Sequence, residues 1–92
     1  MKREKIREKT KERWGLISKT VEENPGLNQK ELVYHILKET GFIKNEREFM
    51  NIEHGTWITL YNKWCWHFRR MAKRDLITRK KRKNGNVVYY PK

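Results

Sequence analysis

Asn62, Lys63, Trp66, Arg69, Arg70 and Lys73 recur at spacings of one to four residues in one segment, and Arg79, Lys80, Lys81, Arg82 and Lys83 follow as an unbroken cationic run. These side chains supply hydrogen-bond donors, a planar amide, guanidinium forks and positive charge. They include no nucleophile, so their chemistry is recognition of an anionic, hydrogen-bonding partner. Each Lys or Arg that displaces condensed counterions from phosphates adds affinity for a nucleic acid. Asn62 can pair bidentately with adenine, Lys63 or Arg69 with guanine, and Thr59 can reach a base edge or a thymine methyl group. Arg79 to Lys83 suit phosphates, which position a protein without reading sequence. The charge is concentrated: residues 63–92 hold eleven Lys or Arg against one acid, Asp75, a net of +10. Residues 14–62 carry −2 and residues 1–13 carry +4, within a total of +12. Five consecutive cations repel one another unless a polyanion lies beside them.

Other chemistries are disfavoured. Cys65 and His67 sit two apart, and such positions on a helix point away from each other, while His35 and His54 fall in other segments without ligand spacing. An inert thiol and partly buried imidazoles are the expectation. No phosphate-binding glycine loop, dinucleotide-binding glycine pattern or persuasive acidic pair occurs, so catalysis, a metal and a cofactor are not expected. A lone cysteine fits a reducing compartment, which with the absence of a span-length apolar run predicts a cytoplasmic protein away from membranes. Between Lys2 and Arg13 only Ile6 is apolar among the aliphatics and aromatics, which gives no signal-peptide core.

The elements that must position these residues are legible in the periodicity. Ninety-two residues suffice for one domain with one core, spanning 1–92. A first helix is predicted over residues 2 to 23, with Trp14, Ile17 and Val21 as its apolar stripe and residues 1–13 as a charged, largely solvated part. Asn24-Pro25-Gly26 ends it. Asn28 is then a helix cap with Glu31 in capping-box position, Leu32, Val33, Ile36 and Leu37 form a second buried stripe, and Gly41 is the expected terminator. Phe42 to Gly55 is mixed in character, with a short helical turn expected around Asn45 to Met50. Thr56 is the expected cap of a long third helix running to Arg74. At about 100° per residue, Trp57, Leu60, Tyr61, Trp64, Phe68 and Met71 share its inner face, while Thr59, Asn62, Lys63, Trp66, Arg69, Arg70 and Lys73 share the other. From Leu76 to Tyr90 the pattern turns to strand, and Asn84-Gly85 predicts a two-residue hairpin turn that pairs Lys81 with Val88 and Arg79 with Tyr90. The predicted class is therefore α+β and mainly helical: a three-helix core followed by a two-stranded hairpin. Trp66 is the anomaly, a large ring among polar neighbours. It is read either as a base contact or as buried beneath the hairpin or in a dimer contact.

This order, with Phe68-Arg69-Arg70-Met71-Ala72-Lys73-Arg74-Asp75-Leu76-Ile77 and Leu27-Asn28-Gln29-Lys30-Glu31-Leu32, resembles winged helix-turn-helix DNA-binding domains, especially small regulators of archaea, their viruses and bacteria. The resemblance covers residues 14 to 90. It implies a recognition helix at 56–74 in the major groove, a wing at 76–90 on an adjacent backbone or minor groove, and Gln29 and Lys30 against phosphates at the start of the second helix. Asp75 stands where that family usually has Gly, a modest departure because Asp tolerates a left-handed conformation. The insertion from Phe42 to Gly55, in place of a tight turn, is the larger one. The function expected is sequence-specific binding of double-stranded DNA by a transcriptional regulator, as a homodimer. Structured RNA as the ligand, or a role as a protein-interaction module of a larger DNA-bound assembly, are the alternatives.

Overall fold

The computed structural model describes residues 7–92. Helix α1 (Glu8–Glu23) presents Trp14, Ile17 and Val21 to the interior, as the spacing predicts, and buries Thr20 beside them. The part of the predicted helix before Arg7 lies outside the described residues. After the Asn24-Pro25-Gly26 break the chain forms a two-residue strand, β1 (Leu27–Asn28), which enters helix α2 (Gln29–Glu39) directly. Asn28 serves both elements. Its backbone pairs in the sheet, while its side chain accepts from the Glu31 N–H at 2.8 Å and its own N–H donates to Glu31 Oε1 at 3.2 Å. That reciprocal box satisfies two donors that every helix start leaves unpaired.

Helix α2 ends as expected at Gly41, whose φ is +82°. The Gly41 N–H donates to Lys38 and the Phe42 N–H to Leu37, a paired closure that absorbs two terminal carbonyls. The expected helical turn is α3 (Glu46–Met50), capped by the Asn45 side chain at 3.0 Å from the Glu48 N–H. The long helix, α4, runs His54–Lys73, so it begins before the sequence predicts. Glu53 occupies the cap position without a side-chain bond, and Thr56 lies inside the first turn. Phe49 and Trp57, edge to face with centroids 5.1 Å apart, hold the insertion against α4, and this packing outweighs the capping preference of Thr56.

At its far end α4 closes on Asp75, the one non-glycine among the described residues with positive φ, at +60°. The Asp75 N–H donates to Ala72 and the Leu76 N–H to Met71, the same closure that glycine provides for α2. Strands β2 (Ile77–Lys81) and β3 (Val87–Pro91) follow. They do not form an isolated hairpin: β1 adds to the other edge of β3, giving an antiparallel sheet in the order β1-β3-β2.

The hairpin register differs from the predicted one. Lys81 pairs with Val87 and Arg79 with Tyr89, one residue away from the pairings that a two-residue turn would give. The reason is local. A two-residue turn of the favoured kind needs positive φ at both central residues, and Asn84 does not have it. Instead Gly85 donates to the Arg82 carbonyl at 2.9 Å, Arg82 donates to Asn86 at 2.7 Å, and Gly85 alone takes the left-handed conformation, with φ +89°. A three-residue loop, Lys83 to Gly85, is the result.

The core lies between α1, α2, α4 and the sheet, with Ile17, Leu32, Val33, Ile36, Phe68, Met71 and Tyr89 fully enclosed. The architecture is α+β and mainly helical with a small antiparallel sheet. Among the described residues no helix is long and apolar enough to cross a membrane.

Candidate nucleic-acid interface

Helix α4 buries Trp64, Cys65, His67, Phe68 and Met71, which leaves an outward arc of Thr59, Asn62, Lys63, Trp66, Arg69 and Lys73, all exposed. Arg79 to Lys83 are exposed as well, on β2 and the loop that follows it. Among the described residues the ion pairs join Lys19 to Glu23 and Glu39, on the part of the molecule made by α1 and α2. No acid pairs with a cation of α4 or of the hairpin in that set. Among the described residues the exposed cations of both elements are therefore without an ion-pair partner, the condition in which binding a polyanion releases the most counterions.

Individual residues are less uniform than their types. Arg70 is half-buried: its guanidinium lies 4.6 Å from the Trp66 ring centroid and 5.8 Å from that of Trp14, within cation–π reach of both indoles. Its planar group is thereby engaged, and its expected freedom to reach a base or phosphate is reduced. The Lys63 ammonium sits 5.4 Å from the Trp64 ring, and its pKa is lowered by burial first and by Arg13 second. Thr59 donates its hydroxyl to the Gly55 carbonyl at 3.0 Å, so that hydroxyl is satisfied within the helix rather than offered outward.

Gln29 departs furthest from expectation. Its Oε1 accepts from the Tyr61 hydroxyl at 2.8 Å, and its Nε2 donates to the Tyr89 hydroxyl at 3.2 Å. The side chain is a buckle joining α2, α4 and β3, and both ends of its amide are in use. Burial, followed by the neighbouring Cys65, pushes Tyr61 up to about 12, so the phenol remains a donor throughout. Lys30, the next residue, is exposed at the start of α2 and is free to point outward.

The two residues that invited a metal reading are buried instead. Burial raises the Cys65 thiol, which disfavours the nucleophilic thiolate. His67 Nδ1 accepts from the Trp14 indole N–H at 3.0 Å, a bond that requires the neutral ring. Burial first, and then the charges of Arg13, Lys63 and Arg70, lower its pKa to about 4. Among the described residues no group of three or more His, Cys, Asp or Glu gathers in a metal-binding cluster.

Trp66 is neither beneath the hairpin nor buried, since 47 % of its surface stays exposed. It stands at the middle of the outward arc of α4, edge to face with His67 at 5.0 Å and stacked with Arg70. Two cations outside the expected set lie nearby. Arg74 lies one turn beyond Arg70, with its guanidinium 5.4 Å from the Trp14 ring, and Arg13 is half-buried close to Lys63 and His67. The i,i+4 spacing of Arg70 and Arg74 was the signal for the first. Nothing in the local sequence marks the second. Comparison with known proteins found no family model, no curated protein and no solved structure that matches this chain.

Proposed function

We propose that this chain is a sequence-specific double-stranded DNA-binding domain of the winged-helix kind and that it regulates transcription. In this reading α4 enters the major groove and the β2-β3 hairpin acts as the wing on neighbouring phosphates. The observation that carries it is the exposed cations, without ion-pair partners among the described residues, on two adjoining elements: the outward arc of α4, with Asn62, Lys63, Arg69 and Lys73, and the run Arg79 to Lys83. A helix about 20 Å or more in length with an exposed arc of amide and cationic donors is the shape that a major groove admits. The element order, with a short strand closing the sheet beside the hairpin, supports the winged-helix reading. The site residues are then Asn62, Lys63, Trp66 and Arg69 at base edges, with Lys30, Lys73 and Arg79 to Lys83 on phosphates, while Gln29 and Arg70 support the elements that carry them.

Titrating fluorescent duplex DNA at several salt concentrations tests the reading. The slope of log K against log salt is expected to steepen by about 0.9 for each phosphate contacted, and several are expected. A slope near zero sinks the proposal. Replacing Arg79, Lys80, Lys81, Arg82 and Lys83 with Gln is expected to weaken binding to every duplex alike. Competition by structured RNA at equal length decides between the two polymers, since phosphate charge is common to both.

A further inference from the structure

Trp66 is a large apolar ring that folding leaves open, at the centre of a face otherwise made of cations and hydrogen bonders. Exposure of this size is unusual for Trp, which is buried to a large extent in most proteins. Flexibility does not account for it. The ring is fixed on one side by the Arg70 guanidinium at 4.6 Å and is edge to face with the buried His67 ring at 5.0 Å, and His67 is itself held by Trp14. The Arg70 guanidinium, 5.8 Å from the Trp14 centroid, thus links the indole to α1 as well as to its own helix. A ring so held before any ligand arrives loses little conformational freedom on binding.

Asn62 lies one turn before Trp66 on the arc, Lys73 two turns after it, and Lys63 and Arg69 flank it. A helix seated by these neighbours in a major groove brings the indole against base edges rather than base faces. The apolar group exposed on those edges is the 5-methyl of thymine, beside acceptors and donors that an indole cannot satisfy except through its single N–H. We propose that Trp66 is a specificity-determining residue that reads a pyrimidine 5-methyl group in the major groove. The inference rests on the DNA-binding reading above and adds the chemistry of one contacted position.

The test begins with a duplex selected from a random pool by the intact chain. Each thymine in it is replaced in turn by uracil, which removes only the methyl group. At one or two positions affinity is expected to fall by about fourfold, the worth of one buried methyl group. In Trp66→Ala that difference is expected to disappear while the thermal midpoint of the free protein stays close to the parent's, because the ring is already half open to water. Replacing the contacted thymine by cytosine and then by 5-methylcytosine distinguishes the two sources of the methyl group, and part of the loss is expected to return with the methylated base. Sequence-specific binding that is indifferent to every uracil substitution overturns this proposal and leaves the DNA-binding reading standing. Equal losses in the parent and in Trp66→Ala overturn it too, because the methyl group then touches another residue. Tighter binding to a duplex carrying an unpaired base than to the perfect site would also overturn it, since the ring would then be stacking on a base face. Failure to bind any duplex removes both readings together.

Discussion

Trp64 and Asn62 are two positions apart on α4 and differ in almost every consequence. Trp64 is 5 % exposed within the core, and Asn62 is on the outward arc. Trp64→Ala is expected to cost about 3–5 kcal/mol, a large share of the stability of a small domain. Asn62→Ala is expected to stay within about 0.5 kcal/mol of the parent and to lose discrimination at one base pair. Thermal melts of both variants decide this, and similar small losses would mean that α4 is rotated about its axis. A second residue-scale outcome concerns His67. Its folded pKa of about 4 lies below the ordinary value near 6.5, so the unfolded chain binds the extra proton in that window. Stability is therefore complete above about pH 6.5 and declines as pH falls toward 4, with a loss of about 2 kcal/mol at pH 5. Denaturant melts at pH 7 and pH 5 read that loss directly, and equal midpoints would show that the imidazole is not held neutral.

At the scale of elements, the closures of α2 and α4 use one device with different residues. Gly41 takes the left-handed conformation without strain, whereas Asp75 takes it with a side chain, at φ +60°. Asp75→Gly is expected to hold or raise stability by up to about 1 kcal/mol, and Asp75→Val to lower it by about 1–2 kcal/mol. The glycine variant also removes the lone acid of residues 63–92, so tighter duplex binding is expected with it. A lower melting temperature for Asp75→Gly would show that the carboxylate contributes more than conformation. The hairpin illustrates the limit of a turn motif. Asn84-Gly85 marks where the chain reverses, but Gly85 can serve as either the second turn residue or the left-handed residue of a longer loop. The pairing of β3 with β1 as well as β2 anchors Tyr89 in the core.

For the whole molecule, principal extents of 45 × 34 × 24 Å compare with a DNA helical turn of about 34–36 Å, so a copy docked as proposed would span roughly one turn of groove. A single module reads few base pairs, and two copies on an inverted repeat with half-sites about one turn apart are the expected functional unit. The mass of the complex at saturating protein checks this. A one-to-one complex on an asymmetric selected site would exclude the dimer. The charged segment 1–13, with interleaved Lys, Arg and Glu, is the proposed source of the contact, and removal of residues 1–11 is expected to weaken pairing while leaving the core stripe from Trp14 onward intact. Charged surfaces pair weakly on their own, so the effect is expected to fade with added salt.

The sequence by itself determined that the helices exist, the buried stripes of α1 and α2, the capping box at Asn28 and Glu31, and the closure at Gly41, because each rests on residues within a turn or two of one another. It also determined where charge accumulates, since net charge along a chain needs no coordinates. Only the tertiary structure decided the rest. The buried face of α4 is wider than its periodicity indicates, taking in Cys65 and His67 and leaving Trp57, Leu60 and Tyr61 half-buried. The strand at Leu27–Asn28 is too short to carry a periodic signal and exists because β3 offers it a free edge. Gln29, polar and near a helix start, reads as a phosphate contact until Tyr61 and Tyr89, 32 and 60 residues away, claim both ends of its amide. Arg70 and Lys63 look alike as cations, yet one lies within cation–π reach of Trp14 and Trp66 and the other lies over Trp64. Local rules fix what a residue can do. Which of those options it exercises is set by partners distant in sequence, where aromatic packing and hydrogen bonds shielded from water outweigh the preferences of any single segment.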